Sequence, residues 1–186
     1  IIKSVKEFDV SGISKYVRKT VNIDRSSDHV SNLSNDKNPI FNEEELFLKV
    51  LIEGKSNLYE YVDGDLTRYF YTKENSNIEQ LIFKKYKTLE SNIGENNRFR
   101  QQLWTDLKCP NLKMSRFENV KYNKNDLVRF FTEYSECHNN DLINFEPKQK
   151  RDLFNLTIRP RLNNSSLTIQ NSASNSRDTD FGNKTV

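Results

Sequence analysis

The chain has 186 residues, which is enough for one domain of ordinary size or for one domain and part of another. Only 34% of the residues are hydrophobic, and 29 basic against 26 acidic residues leave a net charge of +3. The charges are interspersed without a long basic block, so nucleic acid is not an expected partner. No run of about 18 apolar residues occurs, which excludes a transmembrane helix.

The first forty residues predict a pair of strands followed by a long loop. Strands are expected at Ile1–Val5 and Lys15–Ile23, on either side of a turn at Gly12, because the second of them alternates apolar and polar residues. Residues Asp24–Asn42 are mostly polar and predict a loop. The apolar side chains expected to pack this loop over the sheet are Val30, Leu33, Ile40 and Phe41.

The next segment, Leu46–Lys84, predicts the centre of the fold. Apolar and aromatic residues gather there in four short runs separated by turn residues, which is the pattern of an antiparallel meander. The runs are Leu46–Glu53, Asn57–Val62, Leu66–Tyr71 and Ile78–Phe83. Alternation in the third run predicts two faces, with Leu66, Arg68 and Phe70 on one and Thr67, Tyr69 and Tyr71 on the other.

After the meander the apolar residues follow the period of amphipathic helices. One helix is predicted at about Asn96–Leu107 and a second at about Asp126–Cys137, with a loop at Pro110–Tyr122 between them. The order of elements indicates an α+β fold, in which an antiparallel β-meander packs against two C-terminal amphipathic helices. The candidate N-caps are Asn96 or Asn97 for the first helix and Asn125 for the second.

The two cysteines lie at the C-terminal ends of these helices. Cys109 and Cys137 are either joined by a disulfide, as an oxidising compartment allows, or present as two buried thiols. In a tight antiparallel pair the two helix ends would lie roughly 18 Å apart, which is beyond disulfide reach. A disulfide therefore requires helices that run parallel or cross.

From Asp152 the sequence alternates strictly, which favours an amphipathic strand. One wholly apolar side and one polar side, over about 9–11 residues, are typical of a transmembrane β-strand. A strand of a soluble sheet shows the same alternation. One strand cannot close a barrel, so the membrane interpretation expects the chain to be part of a longer protein. The side chains expected to face lipid are Phe154, Leu156, Ile158 and Leu162.

Five stretches carry a resemblance to a known family. They are FLKVLIEGKSNLYEYVDGDLTRYFY (Phe47–Tyr71), IEQLIFKKY (Ile78–Tyr86), NNRFRQQLWTDLKC (Asn96–Cys109), KNDLVRFFTEYSEC (Lys124–Cys137) and KRDLFNLTIRPRLNNSSLTIQN (Lys150–Asn171). Through them, most of the chain from about Ile13 resembles the N-terminal part of Bacteroidetes outer-membrane β-barrel proteins, in which a soluble domain precedes a barrel of the PorT-like kind. The resemblance rests on overall pattern and carries over no catalytic residues.

What the resemblance implies is a location in the cell envelope. Residues 1–146 would form a periplasmic α+β domain, β-rich over 1–86 and helical over 96–137. Residues 147–186 would supply a linker, the first strand of a truncated barrel and an extracellular loop at Asn171–Lys184. The expected partners are the outer membrane, through the C-terminal barrel, and another cell-envelope protein.

Residue types with known chemistry do not converge in this sequence. No set of acid, base and nucleophile is evident, so no catalytic or cofactor-binding residue is assigned, no cofactor is predicted and the protein is not expected to be an enzyme. His29 and His138 are isolated, whereas a zinc site needs several ligands at suitable spacing, so no metal ligand is assigned either.

The tyrosines of the meander are the candidate binding residues. They would form an exposed face for a sugar or peptide, or pack across strands beneath the helices. The first functional hypothesis is a non-enzymatic periplasmic interaction module that docks a partner, or anchors or gates the barrel. The alternative is a soluble extracytoplasmic domain that binds a glycan or peptide. The tyrosines are Tyr59, Tyr61, Tyr69 and Tyr71.

Overall fold

The computed structural model describes residues 5–10, 14–74 and 76–146, together with the backbone of four two-residue strands near the C-terminus. The chain divides into two units, residues 1–148 and 149–186. The first unit has an antiparallel sheet and three helices in its described residues, which confirms the predicted α+β class.

In the described part of this unit, eight strands precede three helices, in the predicted order, and one short strand follows the helices. The strands are β1 (Glu7–Val10), β2 (Ser14–Asp24), β3 (Phe41–Glu53), β4 (Leu58–Asp63), β5 (Leu66–Tyr71), β6 (Glu79–Gln80), β7 (Lys84–Lys87), β8 (Ile93–Asn96) and β9 (Ile143–Asn144). The helices are α1 (Phe99–Asp106), α2 (Met114–Asn119) and α3 (Lys124–Cys137).

The main sheet runs in the order β1-β2-β3-β4-β5-β6, with β9 also paired to β3, while β7 and β8 form a separate hairpin. Asp63 and Leu66 pair across a two-residue turn in which Gly64 has a φ of +57°, a conformation that glycine adopts without a steric penalty. The predicted meander is confirmed at β3, β4 and β5. Its fourth strand is shorter than predicted, because β6 has only two residues.

The sheet separates two cores, because successive side chains of a strand point to opposite faces. In β5, Phe70 joins one core and Tyr69 and Tyr71 join the other, as the alternation predicts. The sheet curls, because β2 approaches β6 and the N–H of Asp24 donates to Oε1 of Gln80 at 2.8 Å. We call the side of the sheet that carries Phe70 the inner face, since it lies inside this curl. The inner core consists of Val17, Val21, Ile23, Leu48, Val50, Tyr59 and Phe70.

The helices pack on the outer face of the sheet. Helix α3 begins at a true N-cap, since the side chain of Asn123, and not of Asn125 as predicted, accepts the N–H of Asp126 at 2.9 Å. Neither predicted asparagine caps α1, whose N-cap position is Arg98. Helix α2 lies where a loop is predicted. The sequence gives no sign of this helix, because its six residues bury only Phe117 and therefore show no apolar repeat.

A disulfide joins the ends of two helical segments. Cys109 follows α1 and Cys137 is the last residue of α3, and their Cα atoms lie 6.4 Å apart. Because these ends meet, α1 and α3 are not the tight antiparallel pair that would exclude a disulfide.

After α3 the chain returns to the sheet. Strand β9 pairs with the end of β3, and the N–H of Phe145 donates to the carbonyl of Leu51 at 3.0 Å. Glu146 then forms ion pairs with Lys49 and, at 3.5 Å, with Lys124. The described part of the first unit therefore ends fixed against its central strand.

The N-terminal segment differs from the prediction. Its first strand is Glu7–Val10, not Ile1–Val5, and Gly12 lies outside the described residues. In the loop after β2, Leu33 is buried as expected, whereas Val30 and Ile40 are 58% and 65% exposed. Phe41, the fourth predicted anchor, is the first residue of β3 and is also exposed.

The second unit is described only by the backbone of four short strands. Strand β10 (Asn164–Ser165) pairs antiparallel with β13 (Lys184–Thr185), and β11 (Thr168–Ile169) with β12 (Thr179–Asp180). The predicted loop Asn171–Lys184 therefore contains strand residues. The side chains predicted to face lipid lie outside the described residues: Phe154, Leu156, Ile158 and Leu162.

Candidate binding site

A cleft of about 290 Å³ opens at the edge of β5. In the described part of the chain, β6 pairs only with Phe70 and Tyr71, so the first residues of β5 extend beyond it. The walls of the cleft come from this edge, the loop after β2, strand β7 and the segment before α3. The lining residues are Asp28, Asp65, Thr67, Tyr69, Phe83, Lys85, Tyr122 and Asn123.

A fully buried arginine fixes the loop that forms one wall. Arg68 has no exposed surface, and its Nη1 donates to Oδ2 of Asp28 at 2.7 Å. It also donates to the carbonyls of Asp24, Ser26 and Thr67. The second oxygen of Asp28 is shielded from solvent and has no hydrogen-bond partner among the described residues. The guanidinium thus offsets the charge of Asp28 and holds the loop after β2 against β5.

An aromatic pair forms another part of the lining. The rings of Phe83 and Tyr122 stack with centroids 4.7 Å apart. The hydroxyl of Tyr122 donates to the carbonyl of Leu81 and accepts the N–H of Tyr69, each at 3.1 Å. Burial raises the pKa of Tyr122 well above its ordinary value. With its hydroxyl bonded to backbone groups, Tyr122 presents the stacked ring as an apolar wall.

The remaining lining groups include both hydrogen-bond donors and hydrogen-bond acceptors. Asp65 is largely exposed and lies 3.1 Å from Nε2 of His29. Lys85 has no ion-pair partner among the described residues, and Thr67 adds a hydroxyl. Donors and acceptors beside an aromatic wall suit a small polar ligand that carries both kinds of group.

The four candidate tyrosines do not form one exposed face. Tyr59, Tyr69 and Tyr71 are less than 10% exposed, so packing, the second interpretation of these residues, is the one observed. They also lie on opposite faces, because Tyr59 pairs with Phe70 and not with a tyrosine. Tyr61 packs at the margin of the inner core, where the Arg25 guanidinium lies over its ring.

An exposed aromatic group does occur elsewhere, on the outer face near β1. Phe8 stacks on Tyr16 with centroids 4.9 Å apart and meets Phe47 edge-on at 5.4 Å. Phe8 is 40% exposed, and Tyr16 and Phe47 are partly exposed. Arg18 lies over the Phe47 ring at 6.0 Å and forms an ion pair with Glu45. We call Phe8, Tyr16 and Phe47 the edge aromatic surface.

Sequence reasoning missed both the cleft and the edge aromatic surface. The alternation of Glu7, Phe8, Asp9 and Val10 was a usable signal for β1, but it predicts a buried Phe8 and so gives no sign of an exposed surface. The cleft had no comparable signal, because Arg68 and Asp28 are forty residues apart and meet only in the folded chain.

The described residues form neither a metal-binding cluster nor a membrane-spanning helix. Within residues 5–146, apart from the gaps given above, no three His, Cys, Asp or Glu side chains are grouped so that they could hold a metal ion. None of the helices in this part of the chain is long and apolar enough to cross a membrane.

Comparison with protein-family models, curated proteins and solved structures found no match to this chain. The resemblance to Bacteroidetes outer-membrane proteins therefore stays a prediction.

Proposed function

We propose that residues 1–146 form a non-enzymatic interaction module of the periplasm, attached to an outer-membrane β-barrel, that docks another cell-envelope protein. The observation that carries this proposal is the edge aromatic surface, in which Phe8 of strand β1 packs on Tyr16 and Phe47 and all three rings remain at least partly exposed. Aromatic side chains and arginine are the residues most enriched at the centres of protein interfaces. Phe8, Tyr16, Phe47 and the adjoining Arg18 have this composition.

The disulfide supports a location outside the cytoplasm. Disulfides such as Cys109–Cys137 persist in oxidising compartments, including the bacterial periplasm, and are rare where thiols are kept reduced. The ion pairs of Glu146 support a further role in anchoring the barrel, because they hold the end of the domain against β3.

Site-specific photo-crosslinking in the native, full-length protein tests the docking role. A photoreactive residue at Phe47 is expected to give a discrete crosslinked product in cells, whereas one at Leu89, which is fully exposed on the β7–β8 hairpin, is not. The outcome that contradicts docking is the same pattern of products from both positions.

Fractionation of the same cells tests the location. We expect the protein in the outer-membrane fraction, with residues 1–146 protected from added protease on intact cells. Recovery in the soluble fraction would contradict attachment to a barrel.

A second candidate function is binding of a glycan or peptide, and the cleft favours it. Lys85 and Asp65 present unlike charges beside the stacked Phe83 and Tyr122 rings. A glycan and peptide screen with the wild-type chain, repeated with Lys85→Ala, is expected to show a ligand that the variant loses. A variant with unchanged binding would exclude the cleft as the ligand site.

A further inference from the structure

Within the described residues, strand β1 ends the main sheet, and its outer backbone edge pairs with no other strand. The N–H of Arg18 donates to the carbonyl of Lys6 at 2.7 Å, and β1 pairs with β2 in a regular antiparallel register. Hydrogen-bonded pairs alternate with non-bonded pairs in such a ladder. Because the Lys6 pair is bonded, the backbone N–H and carbonyl groups of Glu7 and Asp9 point away from β2.

The side chains of β1 give this edge a distinct chemistry. Phe8 and Val10 lie on the outer face, where they are 40% and 49% exposed. Glu7 and Asp9 lie on the other face, opposite Val17 and Lys15. Neither carboxylate forms an ion pair within the described residues. The nearby Lys15 forms its ion pair with Glu53 instead. The hydrogen bond to Glu53 is the main cause that raises the pKa of Lys15, and the charges of Glu7 and Asp9 raise it further.

We propose that β1 receives an extended segment of a partner protein that alternates basic and apolar side chains. The partner strand would bond to the outward backbone groups of Glu7 and Asp9 and extend the sheet by one strand. Its apolar side chains would pack beside Phe8 and Val10, and its basic side chains would lie beside the two carboxylates. This inference rests on the proposed docking function and names the chemistry of the partner.

Charge argues for such a partner and against a second copy of this chain. In a self-paired edge, Glu7 and Asp9 would face the same acidic residues, and like charges directly opposite each other destabilise a strand pair. Acidic residues on a short edge strand are one means by which proteins prevent pairing with themselves. A basic partner removes that repulsion.

The test uses the 186-residue chain and a short acetylated and amidated peptide of alternating lysine and valine. Amide exchange measured by NMR is expected to show that the N–H groups of Glu7 and Asp9 become protected when this peptide is added. A peptide of alternating glutamate and valine is the control for charge. A peptide with the same lysines and valines in two separate blocks is the control for alternation.

Two variants at one position isolate the backbone contribution. Glu7→Pro removes an N–H that points away from β2, so the β1–β2 ladder stays intact. Glu7→Ala removes the same carboxylate and keeps the N–H. We expect the Kd for the lysine–valine peptide to be about tenfold higher in Glu7→Pro than in Glu7→Ala, as the loss of one hydrogen bond predicts.

Three results would overturn strand addition: no binding of the lysine–valine peptide, binding that leaves both amides unprotected, or equal binding of the glutamate–valine peptide. The crosslink at Phe47 separates this failure from a failure of docking. If the crosslink forms in cells and survives Glu7→Pro, the domain docks a partner through the edge aromatic surface without adding a strand. If no specific crosslink forms, the docking function itself fails.

Discussion

The guanidinium of Arg68 is completely buried, and its Nη1 lies 2.7 Å from Oδ2 of Asp28, forty positions earlier in the chain. Arg68 points to the inner face of the sheet, while Asp28 belongs to the loop that follows β2. Through this pair, one side chain both fills the end of the inner core and fixes a wall of the cleft.

Replacing Arg68 with methionine is expected to lower the free energy of unfolding by about 3–5 kcal/mol, because the substitution breaks a buried ion pair and leaves backbone carbonyls unsatisfied. Urea denaturation checks this value. Asp28→Asn is the matched control and should cost less, since Asp28 is partly exposed and asparagine can still accept a hydrogen bond. Equal costs for the two variants would show that the buried guanidinium is not the dominant element of the pair.

Replacing both cysteines with serine is expected to lower the free energy of unfolding by about 3.5 kcal/mol. The disulfide closes a loop with a sequence separation of 28, and its loss enlarges the unfolded ensemble. Denaturant unfolding of the oxidised chain, the reduced chain and the Cys109→Ser/Cys137→Ser variant checks this. If the reduced chain were as stable as the oxidised chain, the disulfide would not constrain the domain.

The domain is expected to lose stability in acid partly through Glu44. The side chain of Arg25 donates to both oxygens of Glu44, at 2.6 and 3.1 Å, and holds the pKa of this carboxyl below its ordinary value of 4.5. A lowered pKa in the folded state contributes stability that is present above the unfolded pKa and is lost as pH falls through the folded pKa. Unfolding measured below pH 4.5 should therefore be less pH-dependent in Glu44→Gln than in the wild type. An unchanged profile in this variant would exclude the contribution.

Alkaline pH should also destabilise the domain, through three tyrosines. Burial is the largest cause that raises the pKa of Tyr69, Tyr71 and Tyr122 above the ordinary value of 10.0. Above that pH the unfolded chain releases protons that the folded chain retains, so the stability falls as pH rises. Ultraviolet titration should show a late-ionising group of tyrosines, and Tyr122→Phe should reduce its amplitude. Ionisation of all tyrosines near their ordinary pKa would contradict this burial.

Local sequence signals predicted local structure well and register poorly. The Asp63-Gly64 turn and the apolar repeat of α3 were each visible in the sequence, and both are present. The four tyrosines do not share one face, because the two-residue turn pairs Asp63 with Leu66, which places Tyr61 opposite Arg68. The pairing of β4 with β5 could have been predicted by counting residues back from the two-residue turn. The count matters because a shift of one residue moves a side chain to the other face of the sheet.

Other features depend on the folded chain. Helix α2 is too short to show a period, and Phe117 is its only buried residue. The edge aromatic surface depends on the pairing of β1 with β2 and of β2 with β3, which brings Phe8, Tyr16 and Phe47 together. The loop after β2 shows no regular pattern, so its attachment to Arg68 could not be predicted.

The attachment of β9 to β3 has a mechanical consequence. A pulling force on the chain beyond Glu146 reaches Lys49 and Lys124 through their ion pairs, and Leu51 through the N–H of Phe145. Lys49 and Leu51 belong to the thirteen-residue strand that pairs with β2, β4 and β9. The load would therefore enter the domain at a strand that pairs with three others, and not at an edge strand.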